Sequence, residues 1–181
     1  MTGMGHRATP AQRRERNAAN GDPQVVLDAA LRFLEARQRS TAEVRRRLMS
    51  AGYREDLVAG ALQRLGDLGI LDDEVFTAAW VESRDRARPR GERALRRELA
   101  LKGVDRQLVD EAMAERRPEP DADDDPDERA AARLLDRHAA SLARITDPRV
   151  RRQRVYALLA RNGFDPEIAT RLAARAGQPD E

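Results

Sequence analysis

The sequence predicts an all-helical protein built from three tandem three-helix repeats. A degenerate segment recurs three times, as AEVRRRLMSAGYREDLV (42 to 58), RALRRELALKGVDRQLV (93 to 109) and QRVYALLARNGFDPEIA (153 to 169), and self-similarity of this kind marks stacked copies of one supersecondary unit. Superposed, the copies share three apolar columns: Val44, Leu95 and Val155; Leu48, Leu99 and Leu159; Leu57, Leu108 and Ile168. A fourth column is glycine throughout, at Gly52, Gly103 and Gly163, each followed by Tyr53, Val104 or Phe164. A residue at positive φ followed by an apolar side chain that folds back is what a helix C-terminus requires. Nothing in the chain shows the strict alternation or β-branched enrichment of a strand.

The glycines are 51 and 60 residues apart, too far for a helix pair, so each unit needs a further helix upstream. Residues 25 to 37 place Val25, Val26, Ala29, Ala30, Phe33 and Leu34 at helical intervals. Residues 73 to 86 do so with Phe76, Ala79 and Trp80, and residues 128 to 143 with Ala131, Leu134, Leu135, Ala139 and Leu142. Start signals agree. Ser40 with Glu43 forms a capping box. Asp147 before Pro148 and Asp165 before Pro166 pair an N-cap with a first-turn proline, and Asp72 and Asp105 are further caps.

These signals divide the chain into a basic N-terminal tail (1–24) expected to be disordered, repeat 1 (25–69) and repeat 2 (70–117). An acidic, proline-rich linker (118–126), repeat 3 (127–176) and a short C-terminal tail (177–181) follow. The stretch PEPDADDDPDE around the linker holds three prolines and seven acids, the composition of a solvated connection. Units of this size lie near the lower limit for independent folding, so neighbours are expected to stabilise one another.

With 36% charged and 40% hydrophobic residues, no cysteine, and no apolar run near the roughly 20 residues that span a bilayer, the composition points to a soluble cytoplasmic protein. No signal-peptide core is visible at the N-terminus, and no heptad seam or large apolar face predicts an oligomer, so a monomer is expected. His6 and His138 stand apart, and no nucleotide-binding glycine motif or nucleophile–base pair occurs. The sequence therefore predicts neither an enzyme nor a cofactor or metal site.

The formal net charge is +2, but its distribution is uneven: residues 25 to 116 carry 18 basic and 17 acidic side chains, residues 129 to 181 carry 11 and 6. Basic residues gather at corresponding places in the units: Arg45, Arg46 and Arg47; Arg93, Arg96, Arg97 and Lys102; Arg149, Arg151, Arg152 and Arg154. One reading is an interrupted basic stripe that contacts phosphates, where guanidinium groups bind in a salt-sensitive, sequence-independent way. The other is a solvated helix face, because Lys102 is the only lysine among 34 basic residues and arginine is this chain's ordinary surface cation. Phe33, Phe76, Trp80, Tyr53 and Phe164 fall at core positions and form no base-stacking platform, whereas Tyr156 lies one residue beyond the core column at Val155.

The chain resembles the RecX-type regulatory proteins, small helical modulators of the RecA recombinase. The resemblance rests on ALRFLEARQRSTAEVRRRLMSAGY, GILDDEVFTAAWVESR, GERALRRELALKGV and LARNGFDPEIATRLA, in that order over about residues 25 to 176. Its most specific elements are Leu71, Asp72, Asp73, Phe76 and Trp80, then Arg84, then Gly91, Leu99, Lys102, Gly103 and Val104. It implies homeodomain- or Myb-like units in a curved, elongated arrangement. It further implies binding to RecA and to the groove of the RecA–DNA filament, with suppression of ATPase, strand-exchange and co-protease activities. Recombination, DNA repair and the SOS response are the processes so modulated. Arg84 joins the basic clusters as a contact for RecA or DNA. The arginine-bearing tail and the long acidic linker depart from the family's pattern. Two other readings stay open: a stand-alone DNA-binding helical repeat protein, and a helical scaffold for other proteins.

Overall fold

The structure is a computed structural model that describes residues 9–116 and 125–177; among these there are ten helices and no strand. They are α1 (Pro10–Ala19), α2 (Pro23–Leu34), α3 (Thr41–Ser50), α4 (Glu55–Asp67) and α5 (Asp73–Ala87). Then follow α6 (Glu92–Lys102), α7 (Arg106–Arg116), α8 (Pro126–Ala143), α9 (Pro148–Arg161) and α10 (Pro166–Ala176). None of the described helices is long and apolar enough to cross a membrane. Two compact units are formed. The first runs through Phe76 and takes in Lys102–Val104; the second comprises Thr77–Leu101 and the chain from Asp105 onward.

In the first unit α2, α3 and α4 close around Val26, Val44, Leu48, Val58 and Leu65, all essentially inaccessible to water. Burying one such side chain contributes about 1.5–3 kcal/mol. Both ends of α3 are locally encoded. Glu43 N donates to Ser40 Oγ (3.2 Å) and Ser40 N donates to Glu43 Oε2 (3.3 Å), completing the capping box. At the other end Gly52 takes φ +92° and Tyr53 N donates to Leu48 O (3.3 Å), the backbone reversal that only glycine adopts without strain.

The second unit holds two groups of helices. Val81, Ala94, Leu95, Leu99, Val109 and Met113 are buried apolar side chains of its α5, α6 and α7 portion. Helices α8, α9 and α10 pack on Ala131, Leu134, Val155, Leu159, Phe164 and Ile168. The stop of α9 repeats that of α3, with Gly163 at φ +81° and Phe164 N donating to Leu159 O (3.3 Å). The expected caps also form: Asp147 Oδ1 accepts from Arg149 N (2.8 Å), Asp165 Oδ1 from Glu167 N (2.8 Å), Asp72 Oδ1 from Glu74 N (2.8 Å) and Asp105 Oδ1 from Gln107 N (2.7 Å).

The N-terminal region departs from expectation. The sequence predicts a disordered tail over residues 1–24, yet Pro10–Ala19 is helical, with Pro10 in the first turn and a capping box between Thr9 and Gln12. Thr9 N donates to Gln12 Oε1 (2.9 Å) and Gln12 N to Thr9 Oγ1 (3.2 Å). Apolar periodicity misses this helix because it buries no side chain; the signal lies in its cap. Pro23 likewise already belongs to α2, with Asp22 as its N-cap. Of the expected linker, Asp125 and Pro126 instead cap and begin α8, and residues 118–124 lie outside the described residues, as do 1–8 and 178–181.

Candidate functional site

The arginine clusters sit on the second helix of each three-helix group, and the structure separates their members sharply. In α3, Arg45, Arg46 and Arg47 are exposed; Arg46 reaches Lys102 O (3.3 Å) and the Arg47 guanidinium lies 5.7 Å from the centre of the Phe33 ring. In and beside α6 most cations are held by acids. Arg93 donates to Asp165 (2.9 Å), Arg96 to Glu92 (2.7 Å) and also to Asp110, and Lys102 to Glu43 (2.8 Å). Arg97 is exposed and has no acid partner among the described residues. In α9, Arg149, Arg152 and Arg154 are likewise exposed without such a partner, while Arg151 is half-buried. Arg84 is not a free cation: it donates to Glu98 (2.6 Å) and stacks 4.0 Å from the centre of Trp80, whose indole Nε1 donates to the same carboxylate (3.0 Å).

A second regularity concerns the carbonyl just before each stop glycine. Ala51 O accepts from Asn17 Nδ2 (2.8 Å), Lys102 O from Ser40 Oγ (2.6 Å) and Asn162 O from Gly91 N (3.1 Å). The glycine itself lies in each case against the donor's helix, near its start in α3 and α6 and at mid-length in α1. A Cβ on Gly103 would stand 2.5 Å from Ala42, one on Gly163 2.5 Å from Ala94, and one on Gly52 2.8 Å from the Arg14 backbone. Carbonyls left open at a helix end are thus answered by another helix, from the start of α3 and α6 and, in α1, from Asn17 in the last turn. Helix α1 does for α3 what α3 does for the turn after α6, and what α6 does for α9.

Within the second unit, the Arg116 side chain is almost fully enclosed. Its guanidinium grips Asp85 through Nε (3.0 Å) and Nη2 (2.8 Å) and also donates to Asp127, whose other oxygen accepts from Glu92 N (3.0 Å). Burial pushes the Asp127 carboxyl above its ordinary value, a rise that the Glu92 amide and Arg116 restrain without cancelling. Burial works against the charge on Arg116 too, but Asp85 and Asp127 outweigh it and raise its pKa.

Glu43 shows the opposite balance. Burial alone would raise its carboxyl, but Lys102, the Ser40 amide and Arg37 together hold it below 4.5. A depressed acid contributes stability that is fully present above its unfolded value of 4.5 and is lost as pH falls through the lower folded value. The expected outcome is that Glu43→Gln flattens the acid limb of the stability profile below pH 4.5. Urea midpoints at several pH values check this; parallel profiles for variant and parent would remove Glu43 as the source. Among the described residues no group of three or more metal-ligating side chains occurs.

Comparison with known proteins agrees with this architecture. Residues 27–65 match the first three-helix domain of RecX and residues 72–113 match the second. The regulatory protein RecX of Mycolicibacterium vanbaalenii is 37% identical over 145 residues, covering 77% of this chain and 75% of the relative. That of Mycobacterium sp. strain KMS is 34% identical over 169 residues, 93% of this chain and 91% of the relative. In fold the chain is similar to the crystal structure of RecX from Lactobacillus salivarius, with a TM-score of 0.69 at 19% identity over 85% of this chain and 96% of that one.

Proposed function

The chain belongs to the RecX family of regulatory proteins, and from that premise we propose that it binds the RecA recombinase and its filament on DNA and inhibits RecA ATPase, strand-exchange and co-protease activities. On this reading it acts as a cytoplasmic monomer that moderates recombination, DNA repair and the SOS response. The observation that carries the reading beyond family membership is the presence, on the second helix of all three groups, of exposed cations with no acid partner among the described residues: Arg45, Arg97, and Arg149 with Arg152 and Arg154. Several weak contacts joined in one chain gain avidity along a polymer through effective concentration. Guanidinium groups suit both phosphates and acidic protein surfaces. By contrast, Arg84, Arg93, Arg96 and Lys102 are already engaged by acids of their own chain.

The test is ATP hydrolysis by the cognate RecA on single-stranded DNA, titrated with this protein. Inhibition well below one molecule per RecA is expected. The combined variant Arg45→Ala, Arg97→Ala and Arg154→Ala should inhibit more weakly at an unchanged circular dichroism spectrum. The salt dependence of its filament binding should be shallower by about one unit of slope for each phosphate that an arginine no longer neutralises. Hydrolysis untouched by the parent protein, together with tight and salt-sensitive binding to free DNA, would replace this reading with a stand-alone DNA-binding repeat protein.

A further inference from the structure

We infer that the groove between α9 and α10 binds single-stranded DNA, with one base stacked on Tyr156 and the phosphate backbone held by Arg149 and Arg152. The inference deepens the reading that this chain meets DNA and assigns the contact to a place in the third three-helix group.

The groove has a volume of about 340 Å³ and is lined by Arg149, Arg152, Gln153 and Tyr156 of α9 and by Thr170 and Ala173 of α10. Charge distinguishes it from the larger cavity of about 410 Å³ in the same unit, where five acids, among them Glu92, Asp127 and Glu167, stand against three arginines. The α9–α10 groove has two arginines and no acid, so it favours a polyanion where the other does not.

Tyr156 gives the second, independent argument. Val155 and Leu159 are completely buried in the α8–α10 core, and one residue on from Val155 the helix turns Tyr156 out of it. Tyr156 is 41% exposed, whereas Phe76 and Phe164 are almost fully buried. A half-exposed aromatic ring beside guanidinium groups that have no acid partner among the described residues is the combination by which sequence-tolerant single-strand sites hold bases and backbone together. Arg149 and Arg152 lie two turns and one turn before Tyr156 along α9, and Gln153 and Thr170 offer hydrogen-bonding groups to a base edge. Position along the chain gives this ring no stacking role; its exposure together with the charge of its groove does.

The test uses the whole protein without RecA, so that its failure is separable from failure of the filament reading. Binding of a labelled oligothymidylate is followed by fluorescence anisotropy at two salt concentrations. Tyr156→Ala should weaken binding about tenfold, while Tyr156→Phe binds like the parent. Replacing Arg149 and Arg152 by alanine should reduce the salt slope by about 0.7 for each phosphate released. An oligonucleotide carrying 5-iodouracil should crosslink to Tyr156, a readout that does not depend on how any variant folds. Parental affinity in Tyr156→Ala, or crosslinks confined to other segments, would overturn the assignment. A loss of affinity on removing the arginines but not the ring would reduce the groove to a phosphate contact and overturn the stacking role.

Discussion

Replacing Arg116 by alanine is expected to destabilise the protein by about 3–5 kcal/mol, because it leaves the buried carboxylate of Asp127 without its cation. The Arg116 side chain is 7% exposed and that of Asp127 11%, so water cannot take the place of the missing guanidinium. Asp85 is deprived of both arms of its bidentate partner in the same change. Denaturant unfolding of Arg116→Ala measures the effect. The physical cause is isolated by a second variant: Arg116→Met combined with Asp127→Asn and Asp85→Asn removes the charges together, keeps an acceptor for Glu92 N, and should recover much of the stability, since no uncompensated charge is then left buried. A destabilisation below about 1 kcal/mol in the single variant would place the cluster with ordinary surface pairs.

Gly91→Ala should cost about 3 kcal/mol or more, as overpacking against an element that cannot yield. The added Cβ would meet Gly163 O at 2.3 Å and Phe164 N and Cα at 2.4 Å. All three are backbone atoms, so no rotamer change relieves them. The shift needed would also pull Gly91 N away from Asn162 O, the hydrogen bond that answers the last carbonyl before the α9 stop. Gly60→Ala is the control. Gly60 lies within α4, nothing approaches its Cβ position within 4 Å, and alanine there should stabilise by about 0.5–1 kcal/mol. Equal melting temperatures for the two variants would show that the Gly91 contact relaxes freely.

Much of the architecture is legible along the chain because it is encoded within four or five residues. The Ser40–Glu43 box, the Asp–Pro starts of α9 and α10 and the positive φ of Gly52, Gly103 and Gly163 each follow from neighbours in sequence. The same local logic exists for α1 in Thr9, Pro10 and Gln12, but this helix carries no apolar stripe to draw attention to it. The basic clusters are legible as clusters only. Whether a given arginine is free depends largely on acids far away in sequence, which lie 72 residues from Arg93 and 14 from Arg84; of these pairs only Glu92–Arg96 is local, four residues apart on α6. Periodicity places Trp80 on the packed face of α5, yet its indole N–H is committed to Glu98 through a hydrogen bond that no spacing rule predicts.

The sequence by itself determined the helices, their ends, the repetition and the family, since periodicity, caps and stop glycines act through hydrogen bonds and side-chain burial within one or two turns. Tertiary structure decided which cations remain available, why Gly91 admits no side chain, where α1 docks and why Tyr156 faces a groove. Each of these depends on atoms brought together across tens of residues by packing, and a charge or a ring acquires its role only from the groups that packing places beside it.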